Sequence, residues 1–172
     1  RQLVEIARAL VEDARLIVTD ISQAALDRAR EQDLEVLEDP SAIYEVECDV
    51  FAPCALGGIL NDDTIPLLKC KVVAGRANNQ LLENHHWAML QERGALYAPD
   101  YILNAGGIIN ISLEMGQPYD EYAATEKVAR IYETVNRVIY LARTNGITTA
   151  QAADRLAEER IAAMRSVKGI YL

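Results

Sequence analysis

Short apolar runs of strand length recur along this chain with helical patterns between them, and that alternation is what most constrains its fold. A strand covered on both faces reads as a continuous apolar run, whereas a surface helix shows apolar residues every three or four positions. The first pattern occurs at residues 16–18, weakly at 34–37, and again at 49–52, 71–74 and 96–98. The second occurs at 1–12, where Leu3, Ile6, Ala7, Leu10 and Val11 share one face, at 22–31 with Ser22 as the cap, and at 83–93 before Gly94. Short helical turns are expected at 40–44 and, behind Asn61, Asp62 and Asp63, through Leu68. Strands separated by helices of this length connect by crossovers, so the spacing predicts an α/β protein with a doubly wound, mostly parallel sheet.

After Asn104 the texture changes, because the remaining patterns are helical: 105–115 around the Gly106-Gly107 pair, 120–144, and 148–164 behind the cap residue Thr148. Gly116-Gln117-Pro118 and Asn145-Gly146 supply the turns between them. The expected organisation is a sheet-bearing domain over 1–103 and a helical segment over 104–172.

Composition narrows the function classes. With 172 residues, 51% of them hydrophobic, the chain can bury one sizeable core. No run of eighteen apolar residues occurs, and Arg1, Glu5 and Arg8 interrupt the first segment, so neither a membrane span nor a signal peptide is expected and the cytoplasm is the default location. A net charge of -9 argues against nucleic acid, since phosphate contacts need clustered Lys and Arg. Cys48, Cys54 and Cys70 are odd in number and lack the paired spacing of a zinc site or a disulfide framework, so reduced thiols and no metal are expected. Arg1 opens within an amphipathic pattern that has no cap ahead of it, which predicts a fragment of a longer chain.

Asp20 is the most informative single position. An acidic residue at the tip of a second strand can bind ribose hydroxyls about 20 residues after a glycine-rich phosphate loop, which here would precede residue 1. Taken alone, an Asp after a strand more often starts a turn or caps the next helix. Three further segments follow strands: 52–61 with Gly57-Gly58, 74–80 with Asn78 and Asn79, and 98–107 with Asn104 and Gly106-Gly107. Open parallel sheets bind ligands outside their carboxyl strand ends, where glycine permits close backbone approach and neutral amides hydrogen-bond without adding charge. By composition alone such loops are usually only turns. Cys54 is a poor candidate nucleophile, because nothing nearby in sequence would lower its thiol pKa. His85 and His86 read as solvated surface residues on a polar helix.

The strings CDVFAPCALGGILN, VVAGRANNQL, LYAPDYILNAGGIIN and ADRLAEERI, in this order and spacing, resemble stretches of the glutamate, leucine, phenylalanine and valine dehydrogenase family, and of its leucine-specific members in particular. The similarity runs from about Leu16 to Ile161. It implies a Rossmann-type domain that binds NAD, here without its first strand and glycine loop. The family's catalytic lysines and aspartate would lie in an N-terminal domain, so no catalytic residue is assigned within this chain.

Carried over by motif, Asp20 would take the adenosine ribose, Cys54 and Ala55 would lie along the cofactor, and Asn79 and Asn104 would bond its nicotinamide half. Ile108 and Ile111 would face the substrate side chain. The implied activity is reversible oxidative deamination of a branched-chain L-amino acid to a 2-oxo acid and ammonia, in a homo-oligomer, with this fragment alone inactive. Phenylalanine or tryptophan as substrate is the alternative within the family. A non-catalytic nucleotide-binding or assembly module is the alternative outside it.

Overall fold

The structure is a computed structural model that describes residues 14–115 and 118–166. The helix expected over 1–12 therefore lies outside the described residues, as do Gly116 and Gln117 of the expected turn. The chain forms two compact units, Arg1–Val46 and Glu47–Leu172, each described by itself.

In the first unit, strand β1 (Ile17–Val18), helix α1 (Gln23–Arg30) and strand β2 (Glu35–Val36) form a β-α-β unit with parallel strands paired Ile17 to Glu35 and Val18 to Val36. Leu26, 4% exposed, is the buried residue of α1. Asp33 takes the left-handed conformation, φ 56°, that lets the chain reverse from α1 into β2. Ser22 holds the N-cap position as expected, yet its side chain makes no cap bond. Asp20 shapes the turn ahead of the helix, its Oδ1 accepting the Ser22 N–H at 2.8 Å. A 3-10 turn, Pro40–Glu45, follows, opened by Asp39 accepting the Ser41 N–H.

The second unit is built on a parallel sheet in the order β3 (Glu47–Phe51), β4 (Lys69–Val73), β5 (Leu96–Tyr97). Val50 pairs with Val72, Phe51 with Val73, and Val73 in turn with Tyr97. The connection from β3 to β4 carries a 3-10 turn, Ile65–Leu67. Helix α2 (His86–Glu92) connects β4 to β5 and is followed by Gly94 at φ 75°. Leu60, Ile65, Val73 and Leu90, each at most 1% exposed, form the core beneath these connections.

Helices α3 (Asp100–Leu103), α4 (Gly106–Ser112), α5 (Glu121–Asn145) and α6 (Thr149–Ser166) follow. The sequence pattern began its helical segment after Asn104; α3 opens four residues earlier, because Asp100 after Pro99 starts a turn that the extended 96–98 reading had not separated. Asp120 accepts the Ala123 N–H at 3.1 Å to start α5, and Gly146, φ 64°, ends it. Val138 and Ala142 of α5 pack on Ala152 and Ala153 of α6, with Ile102, Leu141, Ile147 and Leu156 around them. The alanines leave no bulk between the two backbones, so the helices can approach closely. Thr149, at the start of α6, donates its hydroxyl to the carbonyl of Tyr97 at 2.6 Å in a buried contact, fastening this hairpin to the end of β5. No described helix is long and apolar enough to cross a membrane.

Candidate functional site

The site candidates of the second unit stand where β3, β4 and β5 end. Their ladder continues into the following loops: Ala74 N–H donates to Phe51 O, Ala77 N–H to Pro53 O, and Ala98 N–H to Val73 O, at 2.9 to 3.0 Å. Three loops, 52–61, 74–80 and 98–107, are thereby held at the same edge of one sheet. Beyond the strand ends the first two pair again, with Gly58 N–H on Asn79 O at 2.7 Å, Leu60 N–H on Gln80 O at 3.0 Å, and Leu82 N–H returning to Leu60 O at 3.0 Å.

Two glycines make that approach possible. A Cβ on Gly75 would lie 2.1 Å from the Pro53 carbonyl oxygen, and one on Gly57 would lie 2.8 and 2.9 Å from the carbonyl oxygens of Asn78 and Asn79. The loops therefore meet backbone to backbone. Asn79 sits in the left-handed region at φ 51°, a conformation that Asn tolerates better than most residues.

Cys54 and Ala55 are exposed at the end of β3, Asn79 is exposed on the second loop, and Asn104 is half-buried at the end of α3. Asn104 Nδ2 donates to Asn78 Oδ1 at 2.6 Å, so the second and third loops are joined by neutral amides. Cys54, Ala55, Asn79 and Asn104 all belong to these three loops. Ile108 and Ile111 lie on α4 just beyond them, 69% and 56% exposed, which places neither in the core of the unit. Asp20, in the other unit, is exposed and holds Ser22 in the turn that starts α1. That turn role and a ligand role are compatible, since the bond to Ser22 engages Oδ1.

Several polar residues that support the site were not singled out in the sequence. Gln80 is fully buried; its Nε2 donates to Gly75 O at 2.7 Å and Ala77 O at 3.0 Å, pinning the second loop from inside. Its Oε1 is buried with no hydrogen-bond partner. Asp100 is buried beside it, 3.4 Å from both the Gln80 N and the Tyr97 hydroxyl. Burial, with Asp100 next in importance, pushes the Tyr97 phenol well above its ordinary range. Gln80 directly follows an Asn pair and precedes two leucines, a spacing that marks where a loop re-enters the core. That was the signal available.

His86 corrects the expectation of a solvated pair. It is fully buried, and only His85 is exposed. His86 Nδ1 accepts the Glu83 N–H at 2.9 Å, fixing the turn that leads into the helix. His85 Nε2 lies 3.0 Å and His86 Nε2 3.4 Å from Asp62 Oδ1. The His85 imidazole beside Asp62 holds that carboxyl below its ordinary value. Such a trio has the spacing of metal ligands. A liganding Nε2 must be deprotonated, however, and His86 would then carry its proton on Nδ1, facing the Glu83 N–H donor to donor. As folded, the cluster is a hydrogen-bonding one.

The three cysteines are free. Cys48 and Cys70 face each other across β3 and β4, and burial raises both thiols above the ordinary value.

Parallel strands whose carboxyl-end loops present glycine backbone and neutral amides define the dinucleotide-binding class of α/β architecture. Residues 4–169 match the family model described as Glutamate/Leucine/Phenylalanine/Valine dehydrogenase, and the chain belongs to that family. It is 52% identical over 161 residues to the leucine dehydrogenase of Thermoactinomyces intermedius, covering 94% of this chain and 44% of that protein. The crystal structure of L-tryptophan dehydrogenase from Nostoc punctiforme superposes with a TM-score of 0.86 at 45% identity, covering 93% of this chain and 49% of that one. Hetero-hexameric glutamate dehydrogenase from Thermus thermophilus, at 21% identity and a TM-score of 0.63, shares the fold. The chain spans less than half the length of the curated relatives it matches.

Proposed function

We propose that this chain is the dinucleotide-binding part of an NAD-dependent amino-acid dehydrogenase that deaminates a branched-chain L-amino acid to its 2-oxo acid and ammonia. The observation that carries the reading is the meeting of three strand-end loops, backbone to backbone at Gly57 and amide to amide at Asn78 and Asn104, in a chain 52% identical to a leucine dehydrogenase. The 45% identity to a tryptophan dehydrogenase makes an aromatic amino acid the second reading.

NAD, when bound, accepts a hydride from the substrate. This chain's residues would bind and orient it. Asn79 and Asn104 would hydrogen-bond the carboxamide and ribose of the nicotinamide half, and Cys54 and Ala55 would line its path with exposed backbone. The buried Gln80 fixes the loop that carries Asn79. Asp20 would accept hydrogen bonds from the ribose hydroxyls of the adenosine half, and Ile108 and Ile111 would meet the substrate's branched side chain. Within this reading the sheet-bearing part ends near residue 103 and the helices from 104 onward form a separate segment. We also place the protein in the cytoplasm, as a homo-oligomer; the exposed Tyr122, Tyr132 and Tyr140 of α5 support the latter as apolar surface available for assembly.

The test is a spectrophotometric assay of the protein carrying this chain with leucine, valine, phenylalanine and tryptophan, each with NAD and NADP. The expected result is preference for leucine or valine and for NAD. One close like-charge contact at intermediate dielectric costs about 1 to 4 kcal/mol, so Asp20 should disfavour the NADP phosphate at least tenfold, and Asp20→Ser should narrow the gap. Equal efficiency with both cofactors would remove Asp20 from the ribose site. No turnover of any amino acid, with nucleotide binding retained, would favour a non-catalytic module.

A further inference from the structure

The buried His86 has so far been given a role through Nδ1 alone, and its two ring nitrogens are constrained differently. Nδ1 is taken by the Glu83 N–H. That donor leaves the proton of the neutral ring on Nε2, which is buried, forms no complete hydrogen bond, and faces Asp62 Oδ1 at 3.4 Å. His85 approaches the same oxygen from the exposed side at 3.0 Å. Asp62 belongs to a turn built on its neighbour: Asn61 Oδ1 accepts the N–H groups of Asp63 and Thr64, and Asn61 Nδ2 donates back to Gly58 O at 3.1 Å. Whatever holds Asp62 is therefore linked to the Gly58 carbonyl through one hydrogen-bonded turn.

We infer that His86 is a positioning residue: its Nε2–H, through Asp62, latches the 57–64 segment onto the start of α2 and keeps the Gly57–Gly58 backbone in the arrangement that receives the dinucleotide. The last clause rests on the NAD reading of these loops. The latch itself rests on geometry alone. Segment 57–60 is otherwise attached by three backbone bonds among Gly58, Leu60, Leu82 and their partners and by the buried Leu60 at its end, while Gly57 and Leu56 are exposed. A second anchor on the far side of the Asn61 turn limits both ends of the segment.

Two substitutions separate the nitrogens. His86→Asn places an amide oxygen near the Nδ1 position, so the Glu83 N–H stays satisfied, while nothing reaches Asp62. His86→Gln places an amide N–H near the Nε2 position and serves as the rescue. In His86→Asn and in Asp62→Ala, the amides of Gly58, Leu60 and Leu82 should exchange with solvent about twofold to fivefold faster, the loss expected for a contact weaker than a full hydrogen bond. KM for NAD should rise by a similar factor with kcat held within about twofold, His86→Gln should recover most of both, and His86→Asn/Asp62→Ala should be no worse than Asp62→Ala, which also loses the His85 contact.

Unchanged exchange at those amides, or additive effects in the double variant, would overturn the latch. Faster exchange with KM for NAD unaltered would overturn its positioning role. If the unsubstituted protein binds no nicotinamide nucleotide, the NAD reading falls by itself, and the latch is decided by exchange and non-additivity.

Discussion

Replacing Gly75 by alanine puts the loop architecture to a direct quantitative test. The new Cβ would lie 2.1, 2.4 and 2.7 Å from the O, N and C of Pro53, all backbone atoms with no rotamer to relieve them. Restoring ordinary contact at about 3.4 Å moves one loop by roughly 1 Å in an interior that packs like a crystal. The Pro53 carbonyl also accepts the Ala77 N–H at 3.0 Å, so the displacement strains that bond. Overpacking costs about 1 to 3 kcal/mol and a weakened hydrogen bond about 1, while the stiffer unfolded chain returns about 0.4 to 1. The net loss is about 1 to 4 kcal/mol, or roughly 2 to 14 °C in Tm for a chain of this size. Gly107→Ala is the matched control: nothing lies within 4 Å of its Cβ, and alanine at an exposed helical position should stabilise by about 0.5 to 1 kcal/mol. Scanning calorimetry of the two variants should show shifts of opposite sign. A Gly75→Ala protein that melts at or above the unsubstituted one would refute the backbone approach of the two loops, and with it the geometry of the site.

Three further outcomes are expected. Ile108→Ala or Ile111→Ala in the protein carrying this chain should raise the phenylalanine-to-leucine ratio of kcat/KM by up to about 3 kcal/mol equivalent, since an apolar pocket discriminates by about 1 to 3 kcal/mol per misfit methylene; an unchanged ratio in both removes them from the pocket. Burial raises the phenols of Tyr97 and Tyr101 above the ordinary 10.0. Above that value the unfolded chain releases protons that the folded chain retains, so stability falls as pH rises, and absorbance at alkaline pH should show a late-titrating group of tyrosines that also includes Tyr44, with one fewer in Tyr97→Phe. A thiol reagent should modify the exposed Cys54 first, and Cys48 and Cys70 more slowly because burial raises their thiols; three equal rates would contradict the packing of β3 on β4.

Periodicity carried the architecture because the two longest strands each close on apolar residues, Val50-Phe51 and Val72-Val73, even though their first residues are exposed or half-buried. Val72 and Val73 could not be mistaken for a surface segment, and their neighbours in space, Phe51 and Tyr97, each end a run of the same kind. Strand and helix ends were less legible: β5 is two residues long because Ala98 and Pro99 pass directly into α3, which propensity alone does not separate from the strand. The loops that carry Cys54, Ala55, Asn79 and Asn104 could be placed at strand ends from sequence, while their convergence could not, because it depends on a contact between Gly75 and Pro53 twenty-two positions apart. His86 was misread for a related reason. Asn84 and His85 make its surroundings look polar, while in the fold it is fully buried beside Asp62. Gln80 and Asp100 were hidden likewise, each buried against the other's loop.

The hairpin of α5 and α6 also has a consequence for the order in which this chain acquires structure. Only residues 146–148 separate the two helices, and Val138 meets Ala152 across a short span of chain. The partners of the parallel sheet, such as Cys48 and Cys70, are farther apart in sequence, and the bond from Thr149 to Tyr97 closes 52 residues. Since the entropy of loop closure must be met before a distant contact can form, the helical hairpin should nucleate first and dock onto a late-forming sheet. In pulse-labelled refolding, amides within 138–153 would then gain protection before those of β4 and β5, and the C-terminal hairpin would serve as the template on which the end of the sheet is completed.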